Sequence, residues 1–366
     1  RMTAPCHFGL EKTLGFELRR IGAYDVTASD GRVAFSGDGR VLAKANMSCS
    51  VAERVGVIIA EFDAPDFDAV FESVKSIPVG DYWESTAAFP VVKGQSVKSK
   101  LSSIPALQRT VKRALAEATI ARYGSAPETG ARYDVRFFLI RDRMTLFLDS
   151  SGEGLHKRGY RAESGGAPIS ETLAAGICDL AMVRSGDTVV DPLCGSGTIL
   201  IEAALKALNI APCVNRSFSA ERWGFVPSAI WADARAELRS REHRDAEFRA
   251  VGSDADSNLV RLTLANARKA GVESSVTAQA AQLRDFRYPA PRCKVITNPP
   301  YAVRLNDDAY VANLFREMGA ALRPLNGNEL YVITPGEDFE SRFGEKAAKN
   351  RKLYNGMIRC RLLSFK

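Results

Sequence analysis

The second half of the chain alternates short apolar runs with amphipathic stretches of helical period. Unbroken apolar runs are typical of strands buried on both faces, and strands separated by helices predict a parallel sheet with crossover connections. This half therefore predicts an α/β fold, interrupted by a charged insertion over 211–246. The predicted strands lie at 188–190, 250–252, 295–297 and 330–334, and the predicted helices at 169–183, 198–208, 258–269 and 309–322.

The first half contains shorter elements of both periods. Alternating apolar residues over 133–139 and 144–148 predict a β-hairpin that turns at 141–143. The Ser/Gly-rich stretch 150–154 ends this half, so a domain boundary is expected near residue 160. Further elements predicted here are helices at 11–21, 50–61, 67–74 and 108–123 and a strand at 33–35.

Composition mainly excludes other classes of protein. The chain is 46% apolar and 25% charged, as globular proteins are, and no run approaches the ~20 apolar residues of a membrane span. The seven cysteines form no CxxC pair and only three histidines are present, so neither a disulfide framework nor a metal site is predicted. We therefore expect a protein of the reducing cytoplasm, with no membrane partner.

Basic residues cluster within 89–122. The formal net charge is +7, and Glu117 is the only acidic residue within 89–122. Clustered basic residues predict a polyanionic partner, and we favour a nucleic acid over a merely solvated surface. The residues predicted to contact it are Lys93, Lys98, Lys100, Arg109, Lys112 and Arg113, together with His156, Lys157, Arg158 and Arg161 of a second basic segment.

A glycine-rich segment follows the first predicted strand of the second half. Its glycines allow close approach of a ligand, and the N–H groups that open the next helix favour a carboxylate or phosphate. A P-loop would have lysine where Thr198 stands, and a dinucleotide fingerprint would have Gly or Ala where Leu200 stands. S-adenosylmethionine remains, with S-adenosylhomocysteine as its product, and Asp191 is predicted to reach the amino group. The predicted cofactor contacts are Asp191, Pro192, Gly195, Ser196, Gly197 and Thr198.

Asp254 ends the next predicted strand, after Gly252. A carboxylate at that position can accept hydrogen bonds from both hydroxyls of a ribose. Asp256 lies two residues further on, where its side chain is suited to cap the following helix. We therefore assign the ribose contact to Asp254.

Asn298, Pro299, Pro300 and Tyr301 follow a third predicted strand. The Asn298 amide can accept a hydrogen bond from an exocyclic amine, and the two prolines stiffen the turn. Tyr301 offers a flat face on which a base can stack, worth ~1–3 kcal/mol per base. Combined with the glycine-rich segment, these four residues predict a catalytic site that holds a planar amine substrate beside the cofactor.

These motifs occur, with others, in an order that resembles the THUMP-domain RNA methyltransferases, and most closely the RlmL-like ribosomal RNA guanine-N2 methyltransferases. The resemblance covers nearly the whole chain. It rests on GLE at 9–11, AN at 45–46, AERV at 52–55, FPVVKG at 89–94, SVKS at 96–99, HKRGYR at 156–161, DPLCGSGT at 191–198, TNPPY at 297–301 and NG at 355–356.

The resemblance implies an α/β protein with a Rossmann-like class I methyltransferase domain over 161–366. It implies an N-terminal α+β RNA-binding region over 1–160, with a ferredoxin-like segment at about 1–55 and a THUMP domain at about 45–158. The implied reaction transfers a methyl group from S-adenosylmethionine to the exocyclic N2 of a guanine in RNA, with 23S rRNA favoured. A tRNA guanine, an adenine N6 in RNA or DNA, and a non-catalytic RNA-binding assembly factor remain alternatives, and the oligomeric state is left open.

The chain departs from the family pattern in two places. Ala302 and Val303 replace Gly-Glu after the Asn-Pro-Pro-Tyr sequence, at the predicted lip of the base pocket. Gln282 stands where the family often has an acid that meets the adenine amine. Because a Gln carbonyl can still accept that hydrogen bond, more weakly than a carboxylate, Gln282 is included with Asn298 among the predicted cofactor contacts.

Overall fold

The computed structural model describes residues 1–161, 169–300, 308–323, 327–356 and 358–366. These residues form two mixed units, each built around one sheet. The helices are α1 (Glu11–Arg20), α2 (Gly39–Ser48), α3 (Phe67–Lys75), α4 (Ile104–Tyr123), α5 (Glu171–Leu180), α6 (Thr198–Ala207), α7 (Ser228–Ser240), α8 (Ser257–Ala270), α9 (Asp308–Leu322) and α10 (Phe339–Phe343). The strands are β1 (Met2–Pro5), β2 (Tyr24–Ser29), β3 (Arg32–Ser36), β4 (Gly56–Asp63), β5 (Val91–Val97), β6 (Val135–Ile140), β7 (Arg143–Asp149), β8 (Thr188–Asp191), β9 (Arg249–Asp254), β10 (Val276–Ala280), β11 (Lys294–Thr297), β12 (Glu329–Thr334), β13 (Lys349–Asn355) and β14 (Ile358–Phe365).

The N-terminal sheet runs through the whole first half of the chain. In the described residues its strand order is β2-β3-β1-β4-β7-β6-β5. Strand β1 pairs with β3 on one side and with β4 on the other, so the segments before and after residue 55 share one sheet. The predicted hairpin is confirmed as β6 and β7, which turn at Arg141 and Asp142 with left-handed φ of 52° and 61°.

The C-terminal sheet brings several strand ends to one edge. Among the described residues its order is β10-β9-β8-β11-β12-β14-β13, with β14 antiparallel to both neighbours. The chain winds from β8 outward to β10 and then returns to β11 on the other side of β8. In open sheets of this kind, ligands bind at that reversal, outside the carboxyl ends of the strands. The predicted α/β fold of this half is confirmed, and its site is expected where β8 and β11 end.

One predicted helix is wrong. The apolar spacing over 50–61 favoured a helix, but this stretch leads into strand β4. The backbone of β4 pairs with both β1 and β7, and such long-range pairing overrides a local preference. Gly56 also lies so close to Phe147 that a Cβ would approach the ring to 2.2 Å. Strand β13 is likewise missed, because its polar residues show no apolar period.

The two units share a continuous apolar core. Leu10, just before α1, packs on α5 so closely that a Cβ on Gly176 would lie 2.3 Å from a Leu10 methyl carbon. The charged insertion supplies α7, which lies against α2 of the N-terminal unit. The Trp223 indole N–H, also in the insertion, donates to the Arg132 carbonyl oxygen at 3.1 Å. The insertion therefore forms a second contact between the two units.

Neither a membrane span nor a metal centre is found in the described part of the chain. No helix there combines the length and the apolar character needed to cross a bilayer. No group of three or more His, Cys, Asp or Glu side chains there is placed to hold a metal ion. The seven cysteines are buried as free thiols.

Candidate active site

The glycine-rich segment turns the chain from β8 into α6. Gly195 and Gly197 adopt left-handed φ of 55° and 80°, which glycine reaches without strain. A Cβ on Gly197 would also lie 2.6 Å from a carbon of Thr263 in α8. The Thr263 hydroxyl donates to the Gly195 carbonyl oxygen at 2.8 Å, and the Asn266 amide donates to that of Ser196 at 3.0 Å. Helix α8 thus holds the loop in place, and the N-terminus of α6 faces the edge where the strands end.

Asp254 joins the end of β9 to this loop. One of its carboxylate oxygens accepts the Gly195 N–H at 3.0 Å, and the other accepts the Asp256 N–H at 3.0 Å. Each oxygen keeps a further lone pair for a ligand hydroxyl. Asp256 instead caps α8, accepting the Asn258 N–H at 2.8 Å. The structure therefore places Asp254, the residue predicted to bind the ribose, beside the loop. Asp256 acts as a helix cap.

Asp191 is buried at the end of β8. Burial raises the pKa of its carboxyl to about 7, and the nearby Asp254 charge acts in the same direction. Within the described residues no basic side chain lowers this pKa, although the Leu193 N–H, which donates to the carboxylate at 3.1 Å, opposes the shift in part. A buried carboxylate without a cation fits a ligand that brings a positive charge, as the amino group of S-adenosylmethionine does.

Asn298 follows β11 and presents a second group suited to a ligand. Its side-chain oxygen is buried and accepts no hydrogen bond from the residues that the structure describes. An unpaired buried acceptor is costly, so a ligand amine that donates to it would be stabilised. Pro299 is buried and Pro300 is exposed. Tyr301, with Ala302 and Val303, lies outside the described residues.

Gln282 lies at the same edge, two residues after β10 ends. The Ala281 N–H just before it donates to the Asp254 carbonyl oxygen at 3.0 Å, which sets Gln282 close to the predicted ribose site. Its side chain is exposed. Gln282 is therefore available to a base, as its predicted role in meeting the adenine amine requires.

One predicted nucleic-acid contact, Arg158, is wrong. Its side chain is 1% exposed and forms an ion pair with Glu202 of α6, with a distance of 3.3 Å between Nε and Oε1. It also donates to the Leu155 carbonyl oxygen at 2.7 Å, and the Tyr160 hydroxyl donates to Glu202 at 3.0 Å. A buried Glu202 requires a cation, and Arg158 fills that requirement instead of meeting a phosphate.

Arg161 lies beside the cofactor loop rather than on an open surface. Its guanidinium donates to the Thr198 hydroxyl at 2.6 Å and to the Ile169 carbonyl oxygen at 3.0 Å. Glu171 lies 3.4 Å from its Nε. The arginine thus stands at the first residue of α6, where the helix terminus favours an anion. Its place suits a cofactor carboxylate better than an RNA phosphate.

A carboxylate that the motifs do not reveal links the two units next to this site. This carboxylate is Glu53. Burial acts to raise its pKa, but hydrogen bonds from His156 and His7 hold that pKa well below its usual range. The two imidazoles lie 3.2 Å from its two oxygens, and the Thr172 hydroxyl also donates to it. His156 is thereby occupied in part, whereas Lys157 is exposed and lies 3.2 Å from Glu153.

The remaining predicted basic residues lie around β5 and α4. Lys93, Lys98, Lys100 and Arg109 are exposed. Lys112 is half-buried, 2.5 Å from Glu128 and 3.8 Å above the Phe89 ring. Arg113 pairs with Glu117 at 3.2 Å. Lys93 of β5, Lys98 and Lys100 in the segment after it, and Arg109 of α4 are therefore exposed cations. They are together called the basic face below, and Lys112 and Arg113 contribute less to it.

The chain matches two described families. Residues 158–364 match the RMKL-like methyltransferase domain, and residues 1–56 match the RlmL ferredoxin-like domain. YpsC of Bacillus subtilis, a candidate RNA methyltransferase, is 40% identical over 361 residues, which are 98% of this chain and 93% of YpsC. The ribosomal RNA large subunit methyltransferase K/L of Syntrophotalea carbinolica is 34% identical over 395 aligned residues, which cover 100% of this chain and 54% of that enzyme. This chain thus spans about half the length of that relative.

Solved structures share the fold along the whole chain. A candidate methyltransferase solved with S-adenosylhomocysteine is 36% identical with a TM-score of 0.92, covering 100% of this chain and 97% of its own. A protein from Listeria monocytogenes, described as a predicted N6-adenine-specific DNA methylase, is 40% identical with a TM-score of 0.93, covering 100% and 95%. The predicted Rossmann-like domain and ferredoxin-like segment are confirmed, and the THUMP assignment of 45–158 stays a prediction.

Proposed function

Because the chain belongs to the RMKL-like methyltransferase family, we propose that it methylates the exocyclic N2 of a guanine in large-subunit ribosomal RNA. The cofactor is S-adenosylmethionine, whose sulfonium supplies an electrophilic methyl group. The observation that carries the proposal is the buried Asn298 oxygen, which has no hydrogen-bond partner among the described residues, at the edge where β8 and β11 end.

Four groups are placed to hold the cofactor. Asp191 would bind its amino group, because that carboxyl is buried and no cation of the described part of the chain is paired with it. The N-terminus of α6 and Arg161 would bind its carboxylate, with the Thr198 hydroxyl between them. Asp254 would accept the ribose hydroxyls with the lone pairs that Gly195 and Asp256 leave open. The adenine would then lie toward the end of β10, where Gln282 is exposed.

Asn298 would orient the base to be methylated. Its side-chain oxygen, together with the Pro299 carbonyl, would accept the two N–H bonds of the target amine and direct the nitrogen lone pair at the methyl group. The prolines restrict the turn, so little motion has to be lost when the base binds. Alignment of this kind can lower a barrier by ~7–11 kcal/mol, which leaves little need for a dedicated base. The released proton would pass to solvent during or after transfer.

Adenine N6 is the competing target. The relative from Listeria monocytogenes is described as acting on that atom in DNA. An Asn oxygen accepts a hydrogen bond from either amine, so the described part of the site does not separate the two bases. Ribosomal RNA is favoured as the substrate because the chain matches the RlmL ferredoxin-like domain and aligns over its whole length with a ribosomal RNA methyltransferase. Guanine is the base that the resemblance to RlmL-like enzymes implies.

Transfer of labelled methyl groups tests this proposal directly. RNA from a strain that lacks the gene would be separated into large rRNA, small rRNA and tRNA, then incubated with the protein and labelled S-adenosylmethionine. We expect label in large rRNA, recovered as N2-methylguanosine by nucleoside mass analysis. Label in tRNA would show that tRNA, and not large rRNA, is the substrate. Label recovered as N6-methyladenosine would show that adenine, and not guanine, is the methylated base. Protein that binds the cofactor but labels neither naked RNA nor immature subunits would contradict catalysis.

The basic face is proposed to bind the RNA backbone. Lys93, Lys98, Lys100 and Arg109 carry it. Changing all four to Ala should weaken RNA binding at low salt and flatten its salt dependence, by roughly 0.7–0.9 in log–log slope for each phosphate that the variant no longer neutralises. Anisotropy titrations with fluorescent rRNA fragments at several salt concentrations would measure both.

A matched control removes charge from a surface remote from that face. Arg268 and Lys269 are exposed in the last turn of α8, which points away from the edge where the strands end. Their Ala variant should keep the wild-type slope. An equal slope change in this control would show that net charge, and not the basic face, governs binding.

A further inference from the structure

An aromatic pair joins the two units at the surface. Phe8, between β1 and α1, lies beside Tyr354 of β13, with ring centroids 5.7 Å apart and planes tilted by 59°. Phe8 remains 50% exposed, and Tyr354 is half-buried. Exposed aromatic rings in contact are unusual on a surface that has no partner. The catalytic scheme above assigns no role to either ring.

The pair is held in a fixed place. Gly9, next to Phe8, has a left-handed φ of 93°, and a Cβ there would lie 2.9 Å from the Lys352 carbonyl oxygen. The hairpin backbone therefore approaches the N-terminal unit as closely as glycine allows. On the other side, the Phe8 ring lies against Gly31, where a Cβ would be 3.2 Å from it. Both rings are thus set in position before any ligand arrives.

The hairpin carries Tyr354 to the edge of the sheet where the candidate active site lies. Thr334, the last residue of β12, is level with Arg361 of β14 and, across that strand, with Lys352. Tyr354 lies two residues further along the hairpin, about 7 Å beyond the end of β12. Strand β13 is three positions from β11, so Tyr354 is displaced sideways from Asn298 by about 14 Å.

Phe8 reaches the same edge by a separate set of contacts. The imidazole of His7, its neighbour, lies 3.0 Å from the hydroxyl of Ser170, which caps α5. Arg161 donates to the carbonyl oxygen of Ile169 and to Thr198 at the cofactor loop. The aromatic pair is therefore connected on both sides to elements of the candidate active site.

The C-terminal segment that carries Tyr354 is strongly basic, whereas on the Phe8 side the Glu11 carboxylate accepts the Gly9 and Gly31 N–H groups. No Asp or Glu occurs after Glu345. In the described part of this segment, Arg361 and Lys366 form ion pairs with Glu340 and Glu329. The Lys352 ammonium lies 5.2 Å from the centroid of the Tyr354 ring. The basic residues that are exposed and in no ion pair within the described residues include Lys349, Arg351, Lys352 and Arg359.

From this placement we infer that Phe8 and Tyr354 form a stacking platform for an unpaired nucleotide that flanks the target base, and that Lys352 and its basic neighbours bind the adjoining phosphates. The inference rests on the proposed function and adds a binding site to it. Aromatic faces among unpaired cations are what single-stranded nucleic acids bind. Protein interfaces, by contrast, are depleted in lysine.

The platform predicts a loss of affinity for single-stranded RNA when either ring is removed. Phe8→Ala and Tyr354→Ala should each weaken binding by roughly 5- to 150-fold, the range for one base stacked on one ring. Phe8→Tyr and Tyr354→Phe should retain most of the affinity, because they keep the ring. The probe is a fluorescent 12-nucleotide single-stranded RNA of mixed sequence, titrated by anisotropy in the presence of S-adenosylhomocysteine.

Phe16→Ala is the matched control. Phe16 is 55% exposed on α1 and has the Lys12 ammonium beside its ring, so it resembles Phe8 in exposure and in having a cation nearby. The Phe16→Ala variant should bind the probe as the wild type does. Thermal melting would confirm that all variants fold, and S-adenosylhomocysteine titration would confirm that the cofactor site is unchanged. In methyl transfer, the two Ala variants should raise the KM for RNA and leave the KM for the cofactor alone.

The outcomes separate this inference from the proposed function. Ring variants that bind the probe as tightly as Phe16→Ala would overturn the platform, while methyl transfer by the wild type would leave the proposed function intact. Wild-type protein that neither binds nor methylates RNA would overturn both. Unchanged binding of the probe with weakened binding to immature ribosomal subunits would assign the rings to a protein contact and reject stacking.

Discussion

Replacing Asn298 with Ala is expected to lower kcat by roughly 10²- to 10³-fold and to leave the affinity for S-adenosylmethionine within a factor of a few. The size follows from losing a fixed polar group that acts on the reacting atom in a buried site. The selectivity follows from position, because the cofactor contacts come from Asp191, the α6 terminus and Asp254, and Asn298 serves mainly the target base. Single-turnover methyl transfer and calorimetric titration of the cofactor would measure the two quantities.

Asn298→Asp is the companion variant. It keeps an acceptor oxygen of the same reach, so part of the rate should return, while the buried charge costs some stability. Equal losses of turnover and cofactor affinity in Asn298→Ala would place Asn298 in the cofactor site and refute the role in orienting the amine. If Asn298→Ala transferred methyl groups at a rate close to that of the wild type, the proposed chemistry as a whole would be refuted.

Asp191→Asn is expected to weaken S-adenosylmethionine binding by roughly 10²-fold and yet to stabilise the free protein above neutral pH. A buried hydrogen-bonded charge contributes a few kcal/mol to a partner that it meets directly, and each 1.4 kcal/mol is tenfold in affinity. The buried carboxyl of Asp191, with its pKa raised to about 7, costs stability once it ionises, whereas Asn does not ionise.

The same group predicts how cofactor affinity depends on pH. Because the pKa of Asp191 is about 7 in the free protein, the group holds its proton between its unfolded pKa near 4 and pH 7. The amino group of the cofactor would favour the ionised form. Affinity should therefore fall as pH drops below about 7 and level off above it, with about half a proton released on binding at pH 7 and up to one at lower pH.

Calorimetry from pH 6 to 8.5 in buffers of different ionisation enthalpy would measure affinity and proton release together. Asp256→Asn serves as the control, because Asp256 caps α8 without being buried. That variant should keep the pH dependence of the wild type. A wild-type affinity that does not change across this range would remove Asp191 from the amino-group contact.

How far the sequence predicts this site depends on how local each signal is. The loop at 191–198 and the turn after β11 can be predicted from the sequence, because the apolar residues of each strand and the glycines or prolines that follow lie within a few residues of one another. Arg158 could not be placed, because its burial depends on Glu202, which is 44 residues away in the sequence. Arg161 looked like one cation of a basic run, and only the fold sets it against Thr198.

The same reason explains the errors in the fold. The stretch 50–61 has helical spacing, yet pairing with β1 and β7 decides its structure. The position of β13, and hence of Tyr354, follows from register with β14 and is invisible in a polar sequence. The stacking role of Tyr301 stays a prediction, because that residue lies outside the described part of the chain.

The continuous core between the two units has a consequence for how a substrate is chosen. Among the described residues, Leu10 packed against Gly176 and Trp223 hydrogen-bonded to Arg132 oppose movement of the basic face relative to Asn298. With RNA bound on the basic face as proposed, we expect the protein to select a nucleotide by its distance from the bound stretch of folded RNA. Lengthening that stretch by one base pair would present the neighbouring nucleotide, or none, without altering a single contact to the base itself.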